Sequence, residues 1–457
     1  MENTGQSINF GSIGSKKNMF TFPSMTEERL ANGLQVIWVP DTEQHGMTVA
    51  LQIPVGEFSD PVSFEGTAEL TVNLMQKGTQ TLTPEEFAQK LEQTGTSFFA
   101  DTGDEQIVLG CKMLSKFGDS MLQLFWEMLC SPRFEKGELS RLKREMTTAL
   151  QAEFSDPNAL ANKHFYSLLC GSDHPAGRLH TMGSIKRISL AHVKKFYSDY
   201  FSPAGSVLIV AGDFNMAEAA RRWRPLFSTW KNTPAKAACV AEALPAMTAT
   251  MLRLVDKPDI SQTYFMLGHP APGELDSDRN ALALANYVLG GGNFSSRLMA
   301  SVRSKKGKTY GIGSQLACNR DCGVFTVSTA TLSAQTAEVL SMILSVYQDF
   351  ASRGVTDEEL TKAKQFAIGN MAFQLEGIGN IAEKLLWLRL YGRNNSYIER
   401  FGEMIAAIDK NRVDEAIRKY ISSKHFAVVA VGKKNDLQPQ LESFGQVKTI
   451  PFRTDPH

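Results

Sequence analysis

The sequence predicts an α+β protein built from two homologous domains, each a largely antiparallel sheet packed by helices. Short runs of alternating apolar residues, typical of strands, are followed by long stretches with helical periodicity. The same order of elements occurs twice within the 457 residues. Hydrophobic residues make up 43% of the chain and charged residues 21%, which suits a globular protein with a large core.

The duplication is visible as residues that recur at one offset. Glu138, inside a predicted long helix, stands 221 residues before Glu359 in a second such helix. The apolar strand at 208–211 stands 220 residues before a similar strand at 428–431. Matches near one offset, in the same types of element, indicate a repeated domain rather than a solenoid, whose period is far shorter.

The repeat predicts where the domains begin and end. We expect a mobile N-terminal tail at 1–25, an N-terminal repeat at 26–230, a linker at 231–248 and a C-terminal repeat at 249–457. The tail is rich in Gly, Ser and Asn, and the linker in Pro, Ala and Thr, and neither has a helical period.

Local patterns predict the elements of the first copy. Leu34–Val39 and Thr48–Ile53 have the pattern of two paired strands. Thr83, followed by Pro84, is a strong signal for a helix start. The remaining patterns predict a short helix at 63–77, strands at 97–100, 106–112 and 207–212, and long helices at 114–130, 135–154, 157–170 and 190–200.

Composition excludes several classes of function. Lys and Arg together number 48, as do Asp and Glu, so the net charge is zero and we expect no nucleic-acid or membrane partner. The chain has no apolar run of the roughly 20 residues that span a bilayer and no secretory signal at its start, which favours a cytoplasmic protein. Cys318 and Cys322 are the one close pair of cysteines, and buried thiols suit them better than a zinc site.

The stretch from residue 290 to residue 310 combines glycines with polar side chains suited to binding. Three glycines, Gly290, Gly291 and Gly292, end an apolar run. The helical pattern that follows places Phe294, Leu298 and Val302 on one face, with Ser295 or Ser296 as its cap, and a strand is expected from Thr309.

Arg303 ends this predicted helix, and Tyr310 opens the next predicted strand seven residues later. A guanidinium and a phenol that converge there can hold a peptide carbonyl, because both donate hydrogen bonds from stiff groups. The plainer alternative is a helix C-cap and turn with solvated Arg and Tyr side chains.

A second motif lies at residues 66–79. Gly66 and Ala68 precede it and Lys77-Gly78-Thr79 follows it. With the repeat, this frame resembles the pitrilysin / mitochondrial processing peptidase family, the inverzincins, whose helix carries H-x-x-E-H within G-L-A-H-x-x-E-H-M-L-x-K-G-T. The resemblance covers residues 28–445, and it implies that two such chains close like a clamshell, each chain forming half.

When the sequence is aligned on that frame, every metal-binding or catalytic position of the motif holds a different residue. Glu69 and Asn73 stand at the two histidine positions, and Val72 stands at the position of the glutamate base. Two histidines at i and i+4 suit zinc, and valine cannot accept a proton. The family's third ligand would fall near 149–152, flanked by Glu145 and Glu153. We therefore expect no metal in this chain.

Other metal sites stay open as alternatives. Glu69 and Asn73 offer oxygen ligands to a hard cation, and His174 and His180 lie together in a Gly-rich loop. A solvated face formed by Glu69, Asn73 and Gln76 is the simpler interpretation.

The C-terminal half keeps the family's other signature. Gly290-Gly-Gly, Ser295-Ser-Arg-Leu, Val302-Arg303 and Tyr310 are similar to G-G-G-x-x-S-S-R-L-x-x-x-V-R-x-x-x-G-x-x-Y. The resemblance implies that Arg303, Tyr310 and the glycines bind substrate, and that the Arg and Tyr reach a zinc site on another subunit.

The hypothesis is a non-catalytic, substrate-positioning subunit of a heterodimeric zinc metallopeptidase. Its partner would be a homologous subunit bearing H-x-x-E-H and the zinc, and its substrate an unfolded peptide. The alternatives are a peptide-binding or chaperone-like protein without peptidase activity, a purely structural subunit, and a stand-alone enzyme with an atypical metal.

Overall fold

The computed structural model describes residues 20–43, 45–231, 235–304, 307–421 and 424–455. These residues form two domains, each built on a six-stranded sheet with helices packed against it. The predicted α+β class and the predicted doubling of the chain are confirmed.

In the N-terminal domain, the described residues form six strands and eight α-helices, besides short 3₁₀ turns. Its strands are β1 (Thr26–Arg29), β2 (Gln35–Pro40), β3 (Gly46–Ile53), β4 (Ser97–Thr102), β5 (Ile107–Leu114) and β6 (Val207–Gly212). Its helices are α1 (Thr67–Met75), α2 (Pro84–Thr94), α3 (Gly118–Cys130), α4 (Lys136–Glu153), α5 (Pro157–Cys170), α6 (Met182–Arg187), α7 (Leu190–Tyr200) and α8 (Met216–Phe227).

The C-terminal domain repeats this composition. Its strands are β7 (Met251–Asp256), β8 (Gln262–Pro272), β9 (Ile312–Cys318), β10 (Cys322–Leu332), β11 (Ala427–Gly432) and β12 (Val447–Pro451). Its helices are α9 (Arg279–Asn286), α10 (Thr336–Arg353), α11 (Asp357–Phe373), α12 (Ile378–Leu390), α13 (Ser396–Glu399), α14 (Phe401–Ala407), α15 (Lys410–Tyr420) and α16 (Lys434–Leu441).

The two sheets have matching strand orders, β1-β2-β6-β3-β5-β4 and β12-β7-β11-β8-β10-β9. In each sheet a strand from late in the repeat, β6 or β11, lies between two strands from its beginning. Strand β6 runs parallel to β2 and antiparallel to β3, and β11 does the same between β7 and β8. Most other pairs are antiparallel, as predicted.

The predicted pairing of β2 with β3 is wrong, because β6 lies between them. Every residue of β6 is buried. A buried strand needs hydrogen-bond partners on both edges, and this one takes them from strands that lie far earlier in the chain.

One helix of each domain also packs against the sheet of the other domain. Helix α5 packs on the second sheet, where Phe165 shares a buried cluster with Val429. Helix α12 packs on the first sheet, where Leu385 shares a buried cluster with Ile209. The two domains are therefore joined by a reciprocal apolar interface.

The ends of the predicted domains are partly described. Residues 1–19 of the expected tail lie outside the described residues, whereas Phe22 is buried against the first sheet. In the expected linker, residues 232–234 are likewise outside the description, and Ala241 is buried beside Phe58. The domain limits themselves stay predictions. Within the described ranges, no helix combines the length and apolarity needed to cross a bilayer.

Candidate functional site

Helix α1 carries the degenerate motif, and its start is tightly fixed. Gly66 precedes the helix with φ +96°, a conformation that favours glycine. The buried carboxylate of Asp60 accepts the N–H of Gly66 at 2.6 Å and that of Ala68 at 2.8 Å. Burial raises the pKa of Asp60 to about 7, although these two hydrogen bonds oppose the shift. The first turn, which contains Glu69, is thereby held in place.

The motif positions do not fit a hydrolytic zinc ion. Val72, at the position of the general base, is 1% exposed and lies within the apolar core. Glu69 and Asn73 are half-buried on the other face of α1. Zinc-dependent hydrolysis by this motif needs two imidazole ligands and a general base between them, whereas the three positions hold Glu69, Val72 and Asn73.

The carboxylates expected near the third ligand position are engaged elsewhere. Glu145 pairs with Arg141 within α4, and Glu153 lies 3.3 Å from the ammonium of Lys163 on α5. Both ion pairs belong to the helix scaffold rather than to a metal site.

The structure instead brings three other ligand-type side chains together. One oxygen each of Glu57 and Glu69 and one nitrogen of His180 lie within 4.8 Å of one another, as does no other such group among the described residues. His180 Nε2 is 3.4 Å from a Glu57 oxygen, and His180 Nδ1 is 3.5 Å from a Glu69 oxygen. The expected solvated face of Glu69 is therefore wrong in part, because its carboxylate is 37% exposed and faces an imidazole.

Burial dominates the electrostatics of this cluster. Desolvation raises the pKa of Glu69, with the charge of His180 opposing it. Burial lowers the pKa of the His180 imidazole, but the contact with Glu57 and the charges of Glu57, Asp60 and Glu69 outweigh it and raise that pKa to about 9.

From the sequence, His180 is predicted only as an alternative metal ligand, and Glu57 is not predicted at all. Glu57 precedes α1 in a short 3₁₀ turn, and His180 lies 111 residues after Glu69, just before α6. No local spacing links positions so far apart. The other histidine of this loop, His174, lies apart from the cluster, and its Nε2 contacts the carbonyl of Glu242 at 2.9 Å.

The glycine triplet permits close packing. Helix α9 runs directly into a π-helical turn at Tyr287–Gly291. A Cβ atom on Gly290 would lie 2.5 Å from Ser314 Oγ on β9, and one on Gly291 would lie 2.9 Å from Asn286 Nδ2. These contacts explain two of the glycines by packing. Substrate binding by the triplet stays a prediction.

The helical turn after the triplet differs from its prediction at one residue. Leu298 and Val302 are both fully buried, as expected for one face, but Phe294 is 71% exposed. The helical turns start only after Ser296, whose hydroxyl accepts the N–H of Met299 at 3.4 Å. Phe294 precedes this point in a 3₁₀ turn, so the prediction that it shares a helix face with Leu298 and Val302 is wrong.

Arg303 and Tyr310 lie on either side of residues 305 and 306, which are outside the described ranges. The guanidinium of Arg303 lies over the Phe294 ring at 4.8 Å from its centre. Tyr310 is 85% exposed. Its neighbour Thr309 is buried, and the hydroxyl of Thr309 donates to the Ala330 carbonyl at 2.6 Å. The phenol thus projects from an anchored backbone, while β9 begins only at Ile312. Convergence of the two side chains on one point stays a prediction.

Comparisons with known proteins agree with this architecture. Residues 35–172 match the family model described as Insulinase (Peptidase family M16), and residues 187–366 match the model described as Peptidase M16 inactive domain. The chain belongs to peptidase family M16. Both models together span most of this M16 chain, including the degenerate motif and the glycine triplet.

Individual M16 relatives are distant but cover nearly the whole chain. An uncharacterized zinc protease of Mycobacterium leprae is 25% identical over 88% of this chain and 90% of its own length. A protein of Helicobacter pylori named as a non-peptidase homolog is 25% identical over 81% of this chain and 85% of its own. The crystal structure of a peptidase M16 inactive domain from Pseudomonas fluorescens superposes with a TM-score of 0.82 and 26% identity, covering 90% of this chain and 98% of that one.

These names include both zinc proteases and non-peptidase members of the family. The match to the inactive-domain model and the similarity to a non-peptidase homolog suggest a non-catalytic M16 chain. The absence of histidines and of the glutamate base from the motif positions on α1 agrees with this.

Proposed function

We propose that this M16 chain is the non-catalytic, substrate-positioning subunit of a heterodimeric zinc metallopeptidase that acts on unfolded peptides. A homologous partner with an intact H-x-x-E-H motif would provide the hydrolytic zinc. The observation that carries the proposal is the contrast between Val72, buried where a base would be needed, and Tyr310, 85% exposed on an anchored loop.

The loss on α1 supports the first half of the proposal. General bases contribute about 10²–10⁴-fold to hydrolysis, and the valine at position 72 removes that contribution. Asn73 offers an amide in place of the second imidazole. The chain alone is therefore expected to hydrolyse peptides no faster than background.

The exposed aromatic surface of the C-terminal domain supports the need for a partner or substrate there. Phe294, Tyr310, Phe366 and Phe373 are 71%, 85%, 48% and 73% exposed. Isolated apolar residues on a surface are ordinary, but aromatic residues are enriched at protein interfaces, so these four side chains are candidates for contacts with a partner or substrate.

The chemistry assigned to the two side chains is electrostatic. The Tyr310 hydroxyl would donate a hydrogen bond to the scissile carbonyl oxygen, where negative charge develops in the transition state. Arg303, oriented by its contact with Phe294, would donate to a neighbouring peptide carbonyl and hold the chain in register. The partner's zinc, when bound, would activate the attacking water.

The test is reconstitution with an H-x-x-E-H-bearing homologue from the same source. We expect cleavage of an unfolded peptide only when both chains are present. The Tyr310→Phe variant should lower kcat about 10²-fold because it removes one donor to the developing oxyanion, and Arg303→Ala should raise KM.

Matched controls are available on the same domain. Tyr264→Phe removes a hydroxyl that bonds only to Gln262, and Arg353→Ala removes a 79% exposed guanidinium. Both control mixtures should cleave at the wild-type rate. Equal rates for wild-type and Tyr310→Phe mixtures would refute the assigned role.

A peptide-binding protein without peptidase activity is the second candidate. Strand β4 has no strand partner on one edge among the described residues, and a groove of about 840 Å³ lies close by, lined by residues of β4, β5 and α12. An extended peptide can add to such an edge through main-chain hydrogen bonds. Micromolar peptide binding by the chain alone, with no gain in cleavage from any homologue, would favour this candidate.

A further inference from the structure

We propose that Glu57, Glu69 and His180 form a binding site for a divalent transition-metal ion such as Zn²⁺ in the N-terminal domain. The site is distinct in its ligands from H-x-x-E-H, and the inference does not depend on a partner subunit. It also replaces the expectation from the sequence that this chain holds no metal.

The distances favour a shared cation over direct hydrogen bonds. Charge-assisted N–H···O bonds are about 2.7–2.9 Å long, whereas the contacts of His180 with Glu57 and Glu69 are 3.4 and 3.5 Å. Ligands about 2.0–2.2 Å from a tetrahedral zinc are roughly 3.4 Å from one another. The 3.4 Å between His180 Nε2 and the Glu57 oxygen matches one such ligand pair. The 3.5 Å contact of Glu69 is with the other ring nitrogen, so its side chain must shift to join the same ion. One ligand atom of each of the three residues already lies within 4.8 Å of the others.

A buried nitrogen without a well-formed hydrogen bond is a second indication. His180 Nε2 is buried and, although it lies 3.4 Å from a Glu57 oxygen, makes no hydrogen bond of good geometry among the described residues. Native proteins rarely leave a buried polar atom unsatisfied, because this costs free energy. A metal ion would displace the proton of this nitrogen and use its lone pair.

The charge balance around the imidazole also favours a cation. Glu57 and Glu69 both face His180, and the carboxylate of Asp60 lies close enough to influence it electrostatically. The nearby Arg178 guanidinium donates to the backbone carbonyls of Phe58 and Asp60. One imidazole and two carboxylates are a ligand set that zinc accepts, with water completing the coordination.

Each ligand is held on a fixed segment. Glu57 begins a 3₁₀ turn whose N–H donates to the Gly103 carbonyl at 3.0 Å. Glu69 lies in the first turn of α1, which Asp60 caps. His180 directly precedes Thr181, which caps α6. Rigid segments of this kind lower the ordering cost of binding an ion.

The experiment uses the full-length chain, stripped with EDTA and dialysed, and titrated with ZnCl₂ by calorimetry. Bound Co²⁺ is followed in parallel by its visible absorption, which reports the ligand geometry. The ligand variants are Glu69→Gln and His180→Gln. His45→Gln is the matched control, since His45 is exposed and lies outside the cluster. All proteins carry Cys239→Ser, which removes the exposed thiol.

We expect one equivalent of Zn²⁺ to bind and to raise the Tm of the background protein and the His45→Gln control. Affinity should fall at least about tenfold in each ligand variant, and Glu69→Asp should restore part of it. If the background protein binds no zinc, or if Glu69→Gln and His180→Gln bind it as tightly as the control, the cluster is a plain ion-pair network and the proposal fails.

Discussion

The guanidinium carbon of Arg303 lies over the ring of Phe294, 4.8 Å from the ring centre, in the C-terminal domain. This contact restricts a long side chain that would otherwise sample many rotamers. In the proposed complex, Phe294 would position Arg303 without touching the substrate itself.

Phe294→Ala should weaken the reconstituted peptidase by raising KM. A cation–π contact at an exposed site contributes about 0.5–1 kcal/mol, which corresponds to roughly two- to five-fold in KM. Because Phe294 is 71% exposed, the Tm should not change. Phe373→Ala, which truncates a ring that is 73% exposed, is the control. A loss of stability, or the same KM effect from both variants, would contradict the positioning role.

Gly290→Ala should destabilise the fold. Its Cβ would lie 2.5 Å from Ser314 Oγ and 2.6 Å from the Ser314 nitrogen, so β9 or the π-helical turn must move. We expect a loss of about 1–3 kcal/mol in the free energy of unfolding, measured in urea. Gly369→Ala, inside α11 with open space around it, should instead be neutral or stabilising. Lower activity at unchanged stability would indicate direct substrate contact by Gly290.

Glu274 anchors a buried charge network between α9 and the segment after α12. Its carboxylate, 3% exposed, lies 2.9 Å from Arg279 and 2.8 Å from Arg393. Glu274→Gln should cost about 3–5 kcal/mol, since it leaves two guanidinium groups without their counter-charge. Glu358→Gln, in a pair with Lys362 whose carboxylate is 78% exposed, should cost less than about 1 kcal/mol. Similar costs for the two variants would show that the network is dispensable.

His269 should make stability fall in mild acid. It is buried against Phe325, and burial lowers its pKa to about 4 from 6.5, although a hydrogen bond to the Pro270 carbonyl opposes the shift. The unfolded chain binds a proton at higher pH than the folded chain does. Stability is therefore complete above pH 6.5 and declines as the pH falls toward 4, by about 3 kcal/mol from this residue.

Urea titrations at pH 7, 6 and 5 measure that slope. His269→Phe keeps a ring beside Phe325 and removes the titrating group, so its slope should be smaller than that of the wild type. An unchanged slope would show that other groups cause the acid sensitivity.

Local signals in the sequence located many elements well. The limits of α5 and α7 agree with the periodicity, and the Thr83 signal corresponds to a full capping box with Glu86. These features depend on residues within a few positions of each other, so a single sequence contains them. The short helix α6 was missed, because six residues are too few to show a period.

Errors arose where distant segments meet. Strand β6 enters between β2 and β3 from about 160 residues away, which no local pattern indicates. The same holds for the candidate site. The motif around Glu69 can be recognised in the sequence, but the contact between Glu69 and His180 cannot be predicted from it. Phe294 has the spacing of a helix face shared with Leu298 and Val302, but it lies in a 3₁₀ turn before that helix begins.

The exchange of α5 and α12 between the sheets restricts where the molecule can open. Separating the two domains would expose Phe165 and Leu385 along with the strands that they cover, at a large hydrophobic cost. The domains are thus expected to move as one body. In the proposed heterodimer, a long polypeptide would therefore enter between the two subunits by hinging of whole chains, each of which moves as a rigid unit.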